Sequence, residues 1–337
     1  MVEDERMPAS MKRLVALEPG GPEGLAVVDV PVPELGPKDA LIAIAASGVN
    51  FIDVYFRMGR YPSDRPILLG SEGAGRVERV GLEVTEVAPG DRVVYAMVRG
   101  SHAEYAAVAA SQLVKIPAAV DFMTAAAVML QGTTAHYLTH STFPLHKGQT
   151  CLVHAAAGGA GGLIVQMAKR RGARVIGTVS TEAKAREASD LGTDDVILYT
   201  TKDFETEVQQ LTAGRGVDVV YDSVGQTTFE KSLRVLRPRG TLALFGQSSG
   251  GVPPFDPNIL NTRGSLFLTR PSLAHYLATR EELLWRASDV LSLVASGALK
   301  VRVYRSYPLA DAAEAYNDLE SRKTTGKLVF AVSPEDQ

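Results

Sequence analysis

The plainest chemical signal is the run Ala155-Ala156-Ala157-Gly158-Gly159-Ala160-Gly161-Gly162, which follows the apolar stretch Thr150-Cys151-Leu152-Val153-His154. A pyrophosphate needs backbone N–H groups at a helix N-terminus, and no Cβ where the chain comes close to it. This run of small residues meets both needs, although it departs from a strict G-x-G-x-x-G. The residue that selects the nucleotide is expected about 20 positions further on, at the end of the next strand. There the chain reads Gly177-Thr178-Val179-Ser180-Thr181, with no acid before Glu182 and with Lys184 and Arg186 close behind. A carboxylate at that place would accept hydrogen bonds from a ribose diol and repel a 2′-phosphate, whereas hydroxyls with a cation suit the phosphate. Gly158, Gly159, Ala160, Gly161, Gly177, Ser180 and Lys184 are therefore candidate cofactor-binding residues, and NADPH is favoured over NADH. Plainer readings are a strand–helix junction that holds no ligand, and two cations that merely solvate a helix face.

Other chemistries find little support. The only cysteine, Cys151, sits in an expected strand, where an inert buried thiol is the simplest reading. The histidines, at 102, 136, 140, 146, 154 and 275, show no H-E-x-x-H or comparable spacing; His136 and His140 are four apart on a helix but lack a third ligand. No metal site is expected. No G-x-S-x-G occurs in a strand–turn–helix context, which argues against a hydrolase. Lys plus Arg total 35 against 38 Asp plus Glu, with no run of like charge, so a broad basic face for nucleic acid finds no support. No stretch of about 18 apolar residues is present to span a membrane, and the polar start Met1-Val2-Glu3-Asp4-Glu5-Arg6 leads into no signal-peptide core, so a cytoplasmic location is expected.

These residues need elements to hold them. With 337 residues, two domains are expected. Residues 1–10 read as a disordered extension. From there to about 110 the texture is β-rich, with short Val/Ile/Ala runs cut by Gly and Pro, which suggests a partly closed barrel or a curled sheet. A helix is predicted over 123–140. Strands at 150–154, 174–179, 195–198, 218–222 and 240–245 then alternate with helices at 163–171, 182–190, 204–212 and 229–236. Apolar strands joined by helices demand a parallel sheet covered on both faces, the doubly wound α/β arrangement. Beyond about 271 the texture is mixed, with helices at 281–295 and 311–319 and a strand at 327–332. Too little chain remains there for a third domain. The organisation expected is thus a β-rich domain from 11–130 and 271–337, discontinuous in sequence, around a doubly wound domain at 131–270.

Several segments together resemble one family: Asn50-Phe51-Ile52-Asp53-Val54-Tyr55, Gly70-Ser71-Glu72-Gly73-Ala74-Gly75, the Gly158 turn, Tyr221-Asp222-Ser223-Val224-Gly225 and Thr269-Arg270-Pro271-Ser272-Leu273. They are similar to the zinc-independent NADPH:quinone oxidoreductases of the medium-chain dehydrogenase/reductase superfamily, to which zeta-crystallin belongs. The resemblance runs from about Met11 to Phe330. It implies a GroES-like catalytic domain, a Rossmann domain, NADPH in the cleft between them, and a homodimer. It also places Tyr55, Gly158 to Gly161, Gly177, Ser180, Lys184, Tyr199, Ser223, Phe245, Gly246, Gln247, Ser248, Leu268, Thr269 and Arg270 around the cofactor. Asn50, Asp53 and Thr134 should lie near the nicotinamide and Tyr61 near the quinone. Zinc-dependent relatives carry a Gly-His-Glu motif where this chain reads Gly70-Ser71-Glu72.

A quinone suits a site without a Lewis acid, because its carbonyls are already electrophilic and need only aligned rings and excluded water. Asn50 and Tyr61 would hydrogen-bond the acceptor oxygen, and solvent would supply the proton. The rival readings are an NADPH-dependent reductase of α,β-unsaturated carbonyls, and a protein that binds NADPH without turnover.

Overall fold

The computed structural model describes residues 8–333. Residues 1–7 of the expected extension lie outside them. Ser10, assigned to the same extension, instead begins the strand Ser10–Ala16 and pairs with Pro31, because the register with Leu25–Pro31 carries pairing one residue beyond the first buried side chain, Met11.

The chain forms two compact units, one from the described residues of Met1–Leu130, Leu283–Ala295 and Val301–Gln337, the other from Gln131–Glu282 and Ser296–Lys300. The expected return to the first unit at 271 is therefore displaced. Tyr276 stacks on Tyr137 with ring centroids 4.2 Å apart and accepts a hydrogen bond from Thr142, which ties its segment to the second unit. The Lys300 backbone exchanges hydrogen bonds with the Gln166 amide and ties 296–300 likewise. Such side-chain ties leave no trace in local texture.

In the first unit the strand Asp39–Val49 is the spine. One edge pairs antiparallel with Glu72–Val80; the other is shared by Tyr105–Ala109 along residues 39–43 and by Lys327–Ala331 along 46–49. Two partners on one edge, with register shifts between Leu41 and Ile42 and between Ile44 and Ala46, curl the sheet. Arg92–Ala96 and Val114–Lys115 extend it on one side, and Val303–Tyr307 on the other. Ala40, Ile42 and Ile44 alternate inward onto Val77, Val93 and Val108. A second core joins Leu14 and Ile67, from a three-stranded sheet, to Val54, Tyr316, Leu328 and Phe330.

The second unit is built on six parallel strands in the spatial order Asp195–Leu198, Arg174–Val179, Thr150–His154, Val217–Asp222, Leu236–Leu244, Phe267–Thr269. In chain order this is 3-2-1-4-5-6, the doubly wound arrangement, with its switch point between Thr150–His154 and Val217–Asp222. Both of those strands are wholly buried, as a sheet covered on both faces requires. The sixth strand was not anticipated: it has three residues, lies at the edge and leaves Phe267 exposed, so no apolar run marks it. Two helices also differ from expectation. Phe122–Tyr137 ends in a π-helical turn, Leu138–Thr142, and the helix expected from 163 begins at Gly159, so the glycines form its first turn.

Candidate functional site

In the second unit the six parallel strands end at His154, Val179, Leu198, Asp222, Leu244 and Thr269, all on one edge of the sheet. The Gly158 turn, Ser180, Lys184, Tyr199, Ser223, residues 245–248 and Arg270 each follow one of those ends by a few residues, and Leu268 and Thr269 close the last strand. The sheet thereby brings almost every predicted cofactor residue of this unit to one edge. Gly177 lies within the second strand, two residues before its end, and Thr134 is buried within the helix Phe122–Tyr137.

The turn itself shows why small residues are needed. Ala155 adopts φ +54°, the Ala156 N–H donates to the Thr178 carbonyl at 3.1 Å, and Gly158, in extended conformation, caps the helix Gly159–Arg170. A Cβ on Gly161 would lie 2.1 Å from the Ala155 carbonyl oxygen, and one on Gly177 would lie 2.7 Å from Ala156 Cβ. These two glycines let the backbone close. A Cβ on Gly159 would lie nearest the Gln131 side chain, 2.1 Å from its amide oxygen, and one on Gly158 would approach only the Ala155 carbonyl oxygen and, at 3.9 Å, the Ala155 methyl. The result is a cradle of helix-terminal N–H groups without bulky side chains, which fits a pyrophosphate. Beyond the second strand Thr181 Oγ1 accepts the Lys184 N–H at 3.2 Å, so the helix start is capped by a hydroxyl rather than an acid. Burial pulls the Lys184 ammonium below the usual lysine pKa, with Glu187 opposing.

Sequence reasoning missed the polar network under this edge. His154 bonds Thr178 Oγ1 through Nδ1 at 2.9 Å and Ser232 Oγ through Nε2 at 3.0 Å. Asp222 accepts from the Val224 and Gly225 N–H groups through Oδ1, and from the Thr228 and Ser232 hydroxyls through Oδ2. Burial lowers the His154 pKa, with Asp222 opposing. Together they fasten the ends of three strands that carry the turn, Thr178 and Ser223. The available signal was a polar residue ending each of two buried strands, His154 and Asp222.

The first unit holds a second cluster. Asn50 precedes the short helix Phe51–Arg57, and its N–H donates to Asp53 Oδ2 at 3.0 Å. Its amide Nδ2 donates to Gly48 O at 3.1 Å and Glu72 Oε1 at 2.7 Å, while its Oδ1 accepts from Lys327 Nζ. Both amide hydrogens are engaged, which corrects the expectation that Asn50 donates to an acceptor oxygen: the buried Glu72 carboxylate claims that donor. Glu72 also takes Lys327 Nζ on Oε1 and the Leu130 N–H on Oε2. Asp53 Oδ1 accepts from Ser71 Oγ at 2.7 Å. Burial raises the Asp53 pKa to about 6, against the opposing Ser71 bond, Lys327 charge and Asn50 N–H.

His102 stands beside this cluster, with Nε2 3.9 Å from Asp53 Oδ2. Its Nδ1 lies 2.7 Å from Ser47 Oγ and its Nε2 3.0 Å from the Tyr316 hydroxyl oxygen. Burial, aided by Lys327, pushes His102 down to about 3, so it is neutral. Tyr61 packs edge-on against Tyr55 and Phe56, with centroids 5.5 and 5.4 Å away. Among the described residues no group of three or more His, Cys, Asp or Glu side chains is arranged to hold a metal ion. Lys327, His102 and Tyr316 carry no local signal in the sequence, and Glu72 stands out there only within the Gly70-Ser71-Glu72 motif.

A curled, mostly antiparallel domain with a doubly wound domain inserted in its chain is the build of a medium-chain dehydrogenase/reductase. Residues 36–118 match the family model described as the alcohol dehydrogenase GroES-like domain, and 159–284 the one described as zinc-binding dehydrogenase. The chain is 44% identical to a Pseudomonas aeruginosa quinone oxidoreductase, covering 95% of this chain and 99% of that protein. It is 41% identical to a 2-haloacrylate reductase from a Burkholderia species, covering 92% and 96%. The crystal structure of Escherichia coli quinone oxidoreductase complexed with NADPH superposes with a TM-score of 0.93 at 42% identity, covering 95% and 99%. The chain belongs to the quinone oxidoreductase family of the medium-chain dehydrogenases/reductases.

Proposed function

We propose that this protein reduces quinones with NADPH by hydride transfer and without a metal. The carrying observation is the carboxyl edge of the parallel sheet, where a Cβ-free turn at the switch point stands next to a second strand that ends in hydroxyls and Lys184 instead of a carboxylate. NADPH in the solved relative supports the same reading. On this reading Gly158, Gly159, Ala160 and Gly161 hold the pyrophosphate, Ser180 and Lys184 the 2′-phosphate, and Tyr199, Ser223, residues 245–248 and Leu268, Thr269 and Arg270 the rest of the dinucleotide. Tyr55 and Thr134 are assigned to the nicotinamide end.

Bound NADPH supplies a hydride; with one proton from solvent, a quinone becomes the hydroquinone. The chain's own task is to orient the rings and exclude water. Tyr61 is the proposed acceptor-side hydroxyl, while Asn50 and Asp53 shape the adjoining helix start. Metal independence is supported by the ties of Glu72, whose carboxylate oxygens are taken by Lys327, Asn50 and the Leu130 N–H, and by Ser71 in place of an imidazole. Steady-state turnover with 1,4-benzoquinone and NADPH should be rapid and unaffected by prior dialysis against a chelator. Loss of activity restored by zinc would overturn the metal-free reading, and no turnover on any quinone would overturn the whole.

The 2-haloacrylate reductase relative favours a second reading, reduction of an activated C=C bond by the same hydride. A much higher kcat/KM on 2-alkenals than on quinones would select it. A homodimer and a cytoplasmic location complete the proposal. The buried, unpaired Cys151 thiol suits a reducing compartment, and light scattering and cell fractionation test the two points.

A further inference from the structure

The register of three antiparallel strands brings together residues far apart in sequence. Leu328 faces Val49 and Ser47 faces Gly73, so Lys327 arrives beside Asn50 and Glu72 beside Gly48. At Gly48 a Cβ would lie 2.2 Å from Glu72 Oε1, so the absence of a side chain there is what admits the carboxylate. Lys327 is 2% exposed and Glu72 fully buried. The ammonium donates to Asn50 Oδ1 at 2.5 Å and to Glu72 Oε1, and the Asn50 amide closes the triangle by donating to the same Oε1.

An asparagine amide has two nearly isosteric orientations. An ammonium has three donors and no acceptor, so only Oδ1 can face it. Lys327 therefore selects the orientation of Asn50, and Asn50 in turn starts the helix that carries Asp53 and Tyr55 and donates its N–H to Asp53 Oδ2. We propose that Lys327 is a positioning residue of the acceptor site, whose buried charge orients Asn50 and thereby Asp53 and Tyr55 without itself touching the acceptor. This rests on the quinone reductase reading given above. The groups facing Asp53 are Asn50, Ser71, His102, Tyr316, Glu72 and Lys327, and Lys327 is the one cation that holds its carboxyl down.

The test compares Lys327→Met with the double variant Lys327→Met/Glu72→Gln, in which no charge is left unpaired. Misplacement of reacting groups by about 1 Å costs about 10²-fold in rate. Both variants should lose kcat on benzoquinone on that scale while the NADPH dissociation constant, measured by fluorescence titration, stays at the wild-type value. The double variant should regain the thermal midpoint but not kcat. A double variant with wild-type kcat would overturn the proposal, since Lys327 would then only neutralise Glu72. If wild-type enzyme binds NADPH but reduces no quinone, the functional reading fails separately. The positioning claim is then decided by crystal structures of wild type and Lys327→Met/Glu72→Gln: the Asn50 amide and the Asp53 and Tyr55 side chains should be displaced in the variant, and unmoved side chains would overturn the claim.

Discussion

Asp53 is the residue on which pH should act most directly. Its pKa is raised from 3.8 to about 6 because burial disfavours the carboxylate. A raised folded-state value means that its stabilising contribution is fully present below 3.8 and is lost as pH rises through about 6. The loss amounts to about 3 kcal/mol for a shift of about two units. Asp53→Asn cannot ionise, so its stability relative to wild type should improve by roughly that amount between about pH 4 and about pH 8. Urea unfolding at several pH values measures this, and a difference that does not change with pH would show that Asp53 titrates normally. At the other site, Lys184→Ala should raise KM for NADPH about 10-fold or more, by loss of a charge-assisted bond worth about 1.5–3 kcal/mol. Kinetics with NADH should barely change; an equal effect on both would remove Lys184 from the phosphate site.

At the scale of elements, the turn at the head of the helix Gly159–Arg170 divides its glycines by task. A side chain at Gly161 meets backbone, whereas one at Gly159 first meets the far end of Gln131. Gly161→Ala should therefore lower the thermal midpoint and weaken NADPH binding together, because the turn must open to admit a methyl group. Gly159→Ala should leave stability near wild type and act, if at all, on binding. Differential scanning fluorimetry with and without NADPH separates the two, and equal stability losses would contradict the division. The same element depends on His154 and Asp222, which tie the strand ends from below. A histidine with a depressed pKa stabilises above its unfolded value and loses that contribution on acidification, so His154 and His102 both make the fold weaker toward low pH.

For the whole molecule, a ligand that binds only the folded state stabilises it by mass action, about 2.7 kcal/mol at a hundredfold excess over Kd. NADPH should raise the unfolding temperature by several degrees, and NADH at the same concentration by clearly less. Equal shifts would show that the hydroxyls and Lys184 beyond the second strand do not read the 2′-phosphate. The two units also differ in how far sequence revealed them. Alternating strands and helices over 150–245 announced the doubly wound sheet, because a strand buried on both faces must be a continuous apolar run. The curled sheet was legible only as texture, since its closure depends on one edge of Asp39–Val49 being shared by strands near 105 and near 327.

Local chemistry was therefore written in the sequence alone. The small residues of the Gly158 turn, the missing acid near Thr178 and the solitary Cys151 each state a requirement that neighbours along the chain satisfy. Only the tertiary structure decided that Asn50 would have no donor to offer a substrate. Its partners, Glu72 and Lys327, lie 22 and 277 residues away, and strand register alone makes them neighbours. Burial then raises Asp53 and silences His102, because the cost of a charge depends on what surrounds it and not on which residues precede it.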